Sequence, residues 1–244
     1  MTAQPRRVVY AFPHAGGSAA LYRAWQAESW DDGLLVPVEM PGRGLRIRMP
    51  AMESLPELTA WLADQLCADL RERQAQGVAE WATFGHSFGG VLSVIVASEM
   101  SRRHGLTPRF SVVSASIAPA IQPDDERHLL SDEQILAVAR ADQGTPEAVL
   151  REPALAGRVV AQLRCDYRLR RQFLAHRGLR VPQPLHLIGA EQDPHVSLTQ
   201  LRAWEHHSEA SAALHTIPGD HFAIYQHWPR VRDILSLCPQ ESTI

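Results

Sequence analysis

Strand-like and helix-like runs alternate along most of this 244-residue sequence, which predicts an α/β fold with a mainly parallel sheet flanked by helices. Two further observations support it: a glycine-framed bend where an apolar strand run passes straight into a helix, and an all-helical interval late in the chain. The strand-like runs lie near residues 6–12, 33–40, 79–85, 109–116, 184–189 and 212–217. Ser54-x-x-Glu57 has the pattern of a capping box and opens a helix to roughly residue 74. Within it Leu58, Trp61, Leu62, Leu66 and Leu70 recur at helical spacing and predict a core-facing stripe. Val91 to Glu99 predicts the helix after the bend, and Tyr225 to Leu237 the closing helix. From about residue 121 to 182 the strands stop. Ser131-x-x-Gln134, Thr145-Pro146-Glu147 and Pro153 each start a helix there, the last reaching about His176. Such an insertion would lie over the sheet as a lid that excludes water, shapes a pocket and gates it. The alternative is a helical excursion docked on the rim with no gating role. The length suits a single domain, residues 1–244, with the insertion inside it.

The bend is the most specific feature. Trp81-Ala82-Thr83-Phe84 leads into Gly85-His86-Ser87-Phe88-Gly89-Gly90 and then into an apolar helical run. Gly-x-Ser-x-Gly between strand and helix is the nucleophile elbow of α/β-hydrolases, so the predicted fold sharpens to that class. Gly85 and Gly89 are expected because a Cβ at either place would clash as strand and helix close around the turn. A serine hydroxyl is a poor nucleophile at neutral pH, so it needs a histidine base and an acid to orient that base. In this fold the order is Ser, then Asp or Glu after a late strand, then His near the C-terminus. Ser87 is the candidate nucleophile. Asp193 is the candidate acid, in Glu191-Gln192-Asp193-Pro194 after the strand run 184–189, with Glu191 as its rival two residues earlier. His221 is the candidate base, in Pro218-Gly219-Asp220-His221-Phe222 after the last strand run. His14 and His86 read as packing or supporting residues.

A tetrahedral intermediate also needs two preorganised N–H donors for its oxyanion. One is expected from the residue after the nucleophile, Phe88. The other is expected from a Gly-rich loop after an early strand, and Pro13-His14-Ala15-Gly16-Gly17-Ser18 follows Val8-Val9-Tyr10-Ala11-Phe12. The Ala15 amide is the candidate; a plain turn capped by Ser18 is the competing interpretation.

Taken together, the motifs resemble the stand-alone type II thioesterases of polyketide and nonribosomal peptide synthesis. The resemblance rests on Phe12-Pro13-His14-Ala15-Gly16-Gly17, Leu21-Tyr22-Arg23-x-Trp25, Pro41-Gly42-Arg43-Gly44, the elbow, and Pro218-Gly219-Asp220-His221-Phe222, which span residues 8 to 228 in the family's order. It implies hydrolysis of misprimed or stalled acyl groups from the phosphopantetheine arm of acyl or peptidyl carrier proteins. It also places the family's catalytic residues on Ser87, Asp193 and His221. One departure stands out: after Arg164-Cys165-Asp166-Tyr167 the family has an acidic residue and a tyrosine, whereas Arg170-Arg171-Gln172-Phe173 stands here. That leaves the chemistry intact and puts an inherited acyl preference in doubt. A general carboxylesterase acting on small free esters would use the same residues.

Bulk properties exclude other classes. Hydrophobic content of 45% and charged content of 21% are those of a globular chain, and a net charge of −3 gives no case for nucleic acid or an anionic membrane as partner. No apolar run approaches membrane-spanning length, and the stretch after Arg6-Arg7 is too short for a signal peptide. Cys67, Cys165 and Cys238 are odd in number and scattered, which fits reduced thiols and a cytoplasmic protein. No zinc, nucleotide or phosphate-loop motif is present, so no metal or cofactor is expected. All basic residues are arginine; Arg164, Arg168, Arg170, Arg171, Arg177 and Arg180 concentrate in the insertion, and Arg43, Arg46 and Arg48 form a smaller group. Either group is a candidate docking surface for an acidic carrier or its phosphate, or simply a solvated face.

Overall fold

The computed structural model describes residues 7–28, 30, 33–142 and 144–236. Six strands, β1 (Arg7–Phe12), β2 (Gly33–Pro37), β3 (Glu80–His86), β4 (Ser111–Ser114), β5 (Leu185–Ala190) and β6 (Ala212–Ile217), form one sheet in the order β2-β1-β3-β4-β5-β6. Every pairing is parallel. Parallel strands must be joined by crossovers, and the helices that supply them cover both faces of the sheet. Alternate residues of β1 therefore enter different apolar clusters: Val8, Tyr10 and Phe12 face the long helices α2 (Leu55–Ala75) and α3 (Phe88–His104), whereas Val9 and Ala11 face α1 (Arg23–Ala27) and α8 (Trp228–Ser236).

Helix α2 shows which force dominates. The Glu57 amide donates to Ser54 Oγ at its N-terminus, an interaction worth about 1 kcal/mol. Leu55, Leu58, Leu62, Leu66 and Leu70 are all buried, each contributing about 2 kcal/mol. Burial, not capping, holds the helix. Trp61 departs from the expected stripe: it is half-buried at the edge of the core, beneath the Arg46 guanidinium 4.7 Å from its ring centre. Helix α3 runs past the expected Glu99 and stops where Gly105 takes the left-handed conformation (φ +68).

Between β4 and β5 the chain is helical, as expected, with α4 (Asp132–Asp142), α5 (Glu147–Arg151) and α6 (Pro153–Gln172). A short helix α7 (Leu198–Arg202) follows β5. The closing helix differs from the expectation: it starts at Trp228 rather than Tyr225, because Ala223–Gln226 forms a separate 3-10 turn. Leu237 and Cys238 lie outside the described residues; Cys67 and Cys165 are buried free thiols. Among the described residues no helix is long and apolar enough to cross a membrane.

Candidate active site

Ser87 sits between β3 and α3 at φ 54°, ψ −118°, a backbone conformation that costs a non-glycine residue about 1–3 kcal/mol. Packing of backbone on backbone holds it there. A Cβ on Gly85 would lie 2.1 Å from the Gly89 carbonyl oxygen, and one on Gly89 would lie 2.3 Å from the Phe12 carbonyl oxygen. The Ser87 amide donates to the Ser114 carbonyl at 2.8 Å, and the Gly90 amide returns to the Ser87 carbonyl at 2.9 Å. The glycines of the elbow are therefore required by space, not by their own φ.

Ser87, His221, Ala15 and Phe88 all line one cavity of about 370 Å³. Outside it, behind the imidazole, Asp193 Oδ2 lies 2.8 Å from His221 Nδ1, with both side chains nearly inaccessible. The other carboxylate oxygen of Asp193 accepts the amides of His195 and Val196 at 2.7 and 3.0 Å. Burial by itself would raise the Asp193 pKa, but the hydrogen bond and charge of His221 and the two amides outweigh it and hold the group below its ordinary value. Glu191, the rival acid, is exposed. With Nδ1 facing Asp193, the opposite ring nitrogen of His221 is left for proton transfer with a group in the cavity.

Three more histidines surround that imidazole. His86 lies 5.0 Å away between ring centres, tilted by 44°, and bonds Ser114 Oγ; His195 meets it edge-on, also at 5.0 Å. His14 bonds the Tyr225 hydroxyl at 2.7 Å. Burial, reinforced by the nearby His221, pushes the His14 pKa down to about 3 and that of His86 well below the usual range. Both are neutral at physiological pH and compete with His221 for no proton.

The two candidate oxyanion donors are held differently. Phe88 is the first residue of α3, where an amide has no acceptor within the helix. Ala15 lies in a turn closed by the Gly17 amide on the His14 carbonyl at 2.9 Å. Ser18 stands at the N-cap position of the 3-10 helix Ala19–Tyr22 that follows, but its side chain makes no cap hydrogen bond.

Several contributors were not legible from motif spacing. Arg43, read from the sequence as a candidate surface cation, is 2% exposed and forms a bidentate ion pair with Asp166 of α6, which is 0% exposed. Arg43 stands in a motif that carries the resemblance and Asp166 just before the segment that departs from it, but nothing in either stretch indicates that they meet. Ala115, at φ 45° after β4, and Tyr225 carried no signal at all. The insertion arginines are engaged as well: Arg164 with Asp132, Arg168 with Glu53, Arg170 with Asp125, Arg171 with Asp124 and Arg180 with Glu209, while Arg177 donates to the Gln122 carbonyl. Each of these arginines thus has a partner within the chain, while Arg168, Arg171 and Arg180 keep 42%, 42% and 56% of their side-chain surface exposed. Among the described residues no group of three or more His, Cys, Asp or Glu is arranged to hold a metal ion.

The Thioesterase domain family model matches residues 7–240. Thioesterase PikA5 of Streptomyces venezuelae is 30% identical over 224 residues, 92% of this chain and 78% of its own. Linear gramicidin dehydrogenase LgrE of Brevibacillus parabrevis, a name denoting redox chemistry, is 28% identical over 96% of this chain and 88% of its own. Among solved structures, the type II thioesterase BorB from the borrelidin biosynthetic cluster superposes with a TM-score of 0.78 at 31% identity, covering 96% of this chain and 94% of that one.

Proposed function

The chain belongs to the thioesterase domain family and is close to the type II thioesterases of polyketide and nonribosomal peptide pathways; from that premise we propose that it hydrolyses aberrant acyl groups from the phosphopantetheine arm of carrier proteins. The observation that carries the mechanism is the 2.8 Å Asp193–His221 contact behind a cavity that both His221 and Ser87 line.

Ser87 Oγ attacks the thioester carbonyl carbon as its proton passes to His221 Nε2. The carbonyl oxygen becomes an oxyanion held by the Phe88 and Ala15 amides, each worth about 3 kcal/mol of barrier. Collapse of the intermediate breaks the C–S bond, and the imidazolium returns its proton to the departing pantetheine thiol. Water then attacks the acyl-serine ester, losing a proton to His221, and the second intermediate releases the free acid and regenerates Ser87. Asp193 keeps the imidazole in the productive tautomer and stabilises the imidazolium. The helical segment 121–182 acts as the lid of this site: Phe173, at its end, packs against Phe88 at 5.3 Å, and Leu163 and Tyr167 of α6 line the cavity.

The test is release of one acyl group from a carrier protein, from its pantetheine thioester and from an oxygen ester, by wild type and Ser87→Ala. Fastest release from the carrier, lowered roughly 10⁵-fold or more in the variant, is expected. Equal or faster turnover of the oxygen ester would make this a general carboxylesterase.

A further inference from the structure

The Ala15 amide belongs to a turn whose neighbouring groups are tied down one by one. Gly17 N–H donates to the His14 carbonyl, which fixes the plane of the peptide that carries the Ala15 N–H. The next peptide is fixed from outside: Gly16 N–H donates to Asp166 Oδ2 at 2.7 Å. The Gly17 carbonyl accepts from Arg43 Nη1 at 3.1 Å, and the same guanidinium grips Asp166 at 2.9 and 2.6 Å. Gly16 itself has φ +76°, and a Cβ there would lie 2.9 Å from the Leu163 side chain, so α6 also limits the turn sterically. Among the described residues the Ala15 N–H has no protein acceptor, whereas the two amides after it both do.

We propose that Asp166, locked by Arg43, is a positioning residue for the oxyanion site: from α6 it holds the Pro13–Gly17 turn so that the Ala15 amide faces the developing charge. The inference rests on the proposed assignment of Ala15 as an oxyanion donor. The physical need is preorganisation. A donor that must reorient during reaction gives back much of its benefit, and displacement of a reacting geometry by about 1 Å costs on the order of 100-fold in rate. A pair that merely stapled α6 to the core would affect stability and leave the rate per folded molecule untouched.

The experiment compares wild type, Asp166→Asn, the double variant Arg43→Met with Asp166→Leu, Ala15→Pro, and the triple combination, on one acyl-pantetheine thioester. Replacing both members of a buried ion pair by apolar residues is often neutral for folding, and Asp166→Asn keeps the shape if the double variant does not fold. Proline suits the second position of a turn; it deletes the N–H and sets its ring Cδ in that place, so its loss reads the donor and the space beside it together. Active enzyme is counted by end-point fluorophosphonate labelling, and folding is followed by circular dichroism. The double variant should lose about 100-fold in kcat, and Asp166→Asn about tenfold, with KM within about twofold, since a transition-state contact is removed. Ala15→Pro should lose about 100-fold or more, and the triple variant no more than Ala15→Pro, because both changes remove one donor. Unchanged kcat in a folded Asp166 variant, or losses that multiply in the triple variant, would overturn the positioning role. Full activity in Ala15→Pro would instead overturn the assignment of Ala15, on which the proposal rests.

Discussion

The elbow at Ser87 and the turn at Ala15 face the same cavity, but they are held in place by different means. The elbow is secured by close backbone packing, with Gly85 against Gly89 and the Ser87 amide on the neighbouring strand. The turn is secured by a carboxylate 150 positions away in sequence and an arginine 26 positions away. A steric demand between close neighbours can be met only by a missing side chain, so it leaves glycines in the sequence. An ion pair across the fold leaves two ordinary charged residues. The difference teaches that both halves of the proposed oxyanion site need the completed fold, but only the steric half leaves a mark, its glycines, in the sequence.

The comparison is most exposed to test at Asp193, a second distant tether, which bonds His221 across 28 positions. Asp193→Asn should stay folded and lose roughly 10⁴-fold in kcat, because the amide favours the wrong imidazole tautomer. A loss below tenfold in steady-state assays would mean that the rings of His86, His195 and Phe222 hold His221 unaided, and that distant polar tethers matter little here.

Gly89→Ala tests the steric side. Its Cβ meets two carbonyl oxygens, of Phe12 and Pro13, at 2.3 and 2.5 Å, and backbone cannot swing away as a side chain can. Overpacking of that kind costs about 3 kcal/mol, a drop of about 6–12 °C in melting temperature for a chain of this size. Wild-type melting would show that close backbone approach does not hold the elbow.

The smallest expected effect separates the turn from the elbow by pH. His14 starts the turn's hydrogen bond, and its folded pKa of about 3 lies below the ordinary value of 6.5. Below pH 6.5 the unfolded chain therefore binds a proton that the folded chain refuses. The stability due to neutral His14 is complete above pH 6.5 and is lost as pH falls, at up to about 1.4 kcal/mol per pH unit, until pH nears 3. Urea unfolding between pH 7 and pH 5 should show a shallower acid slope for His14→Gln than for wild type. Identical slopes would show that His14 does not contribute, leaving acid sensitivity to the other histidines held below their ordinary value, among them His86, His186 and His207.

The elbow and the long helices were readable in advance because close backbone approach demands glycine and a buried helix face demands leucine at helical spacing. Glycines around Ser87 announced the elbow, and the leucine spacing from Leu58 to Leu70 announced α2. The start of α8 was misjudged because Tyr225 has the periodicity of a helix, but its hydroxyl is drawn to His14 and the chain makes a 3-10 turn there instead. Arg43 looked like a surface cation because its motif says nothing of Asp166. The insertion arginines looked free for the same reason: their carboxylate partners lie on other segments.

By itself the sequence determined the parallel α/β order and the elbow, and it offered a candidate succession of serine, acid and histidine. The first follows from periodicity and the second from glycines that leave room for backbone, while the succession follows the residue order of the fold class. Only the tertiary structure set Asp193 against His221 and left Glu191 exposed, buried Arg43 against Asp166, gave the insertion arginines partners on other segments and kept His14 and His86 neutral. Hydrogen bonding across the fold and loss of water around a charge exist only once distant segments have packed, so no short stretch of sequence records them.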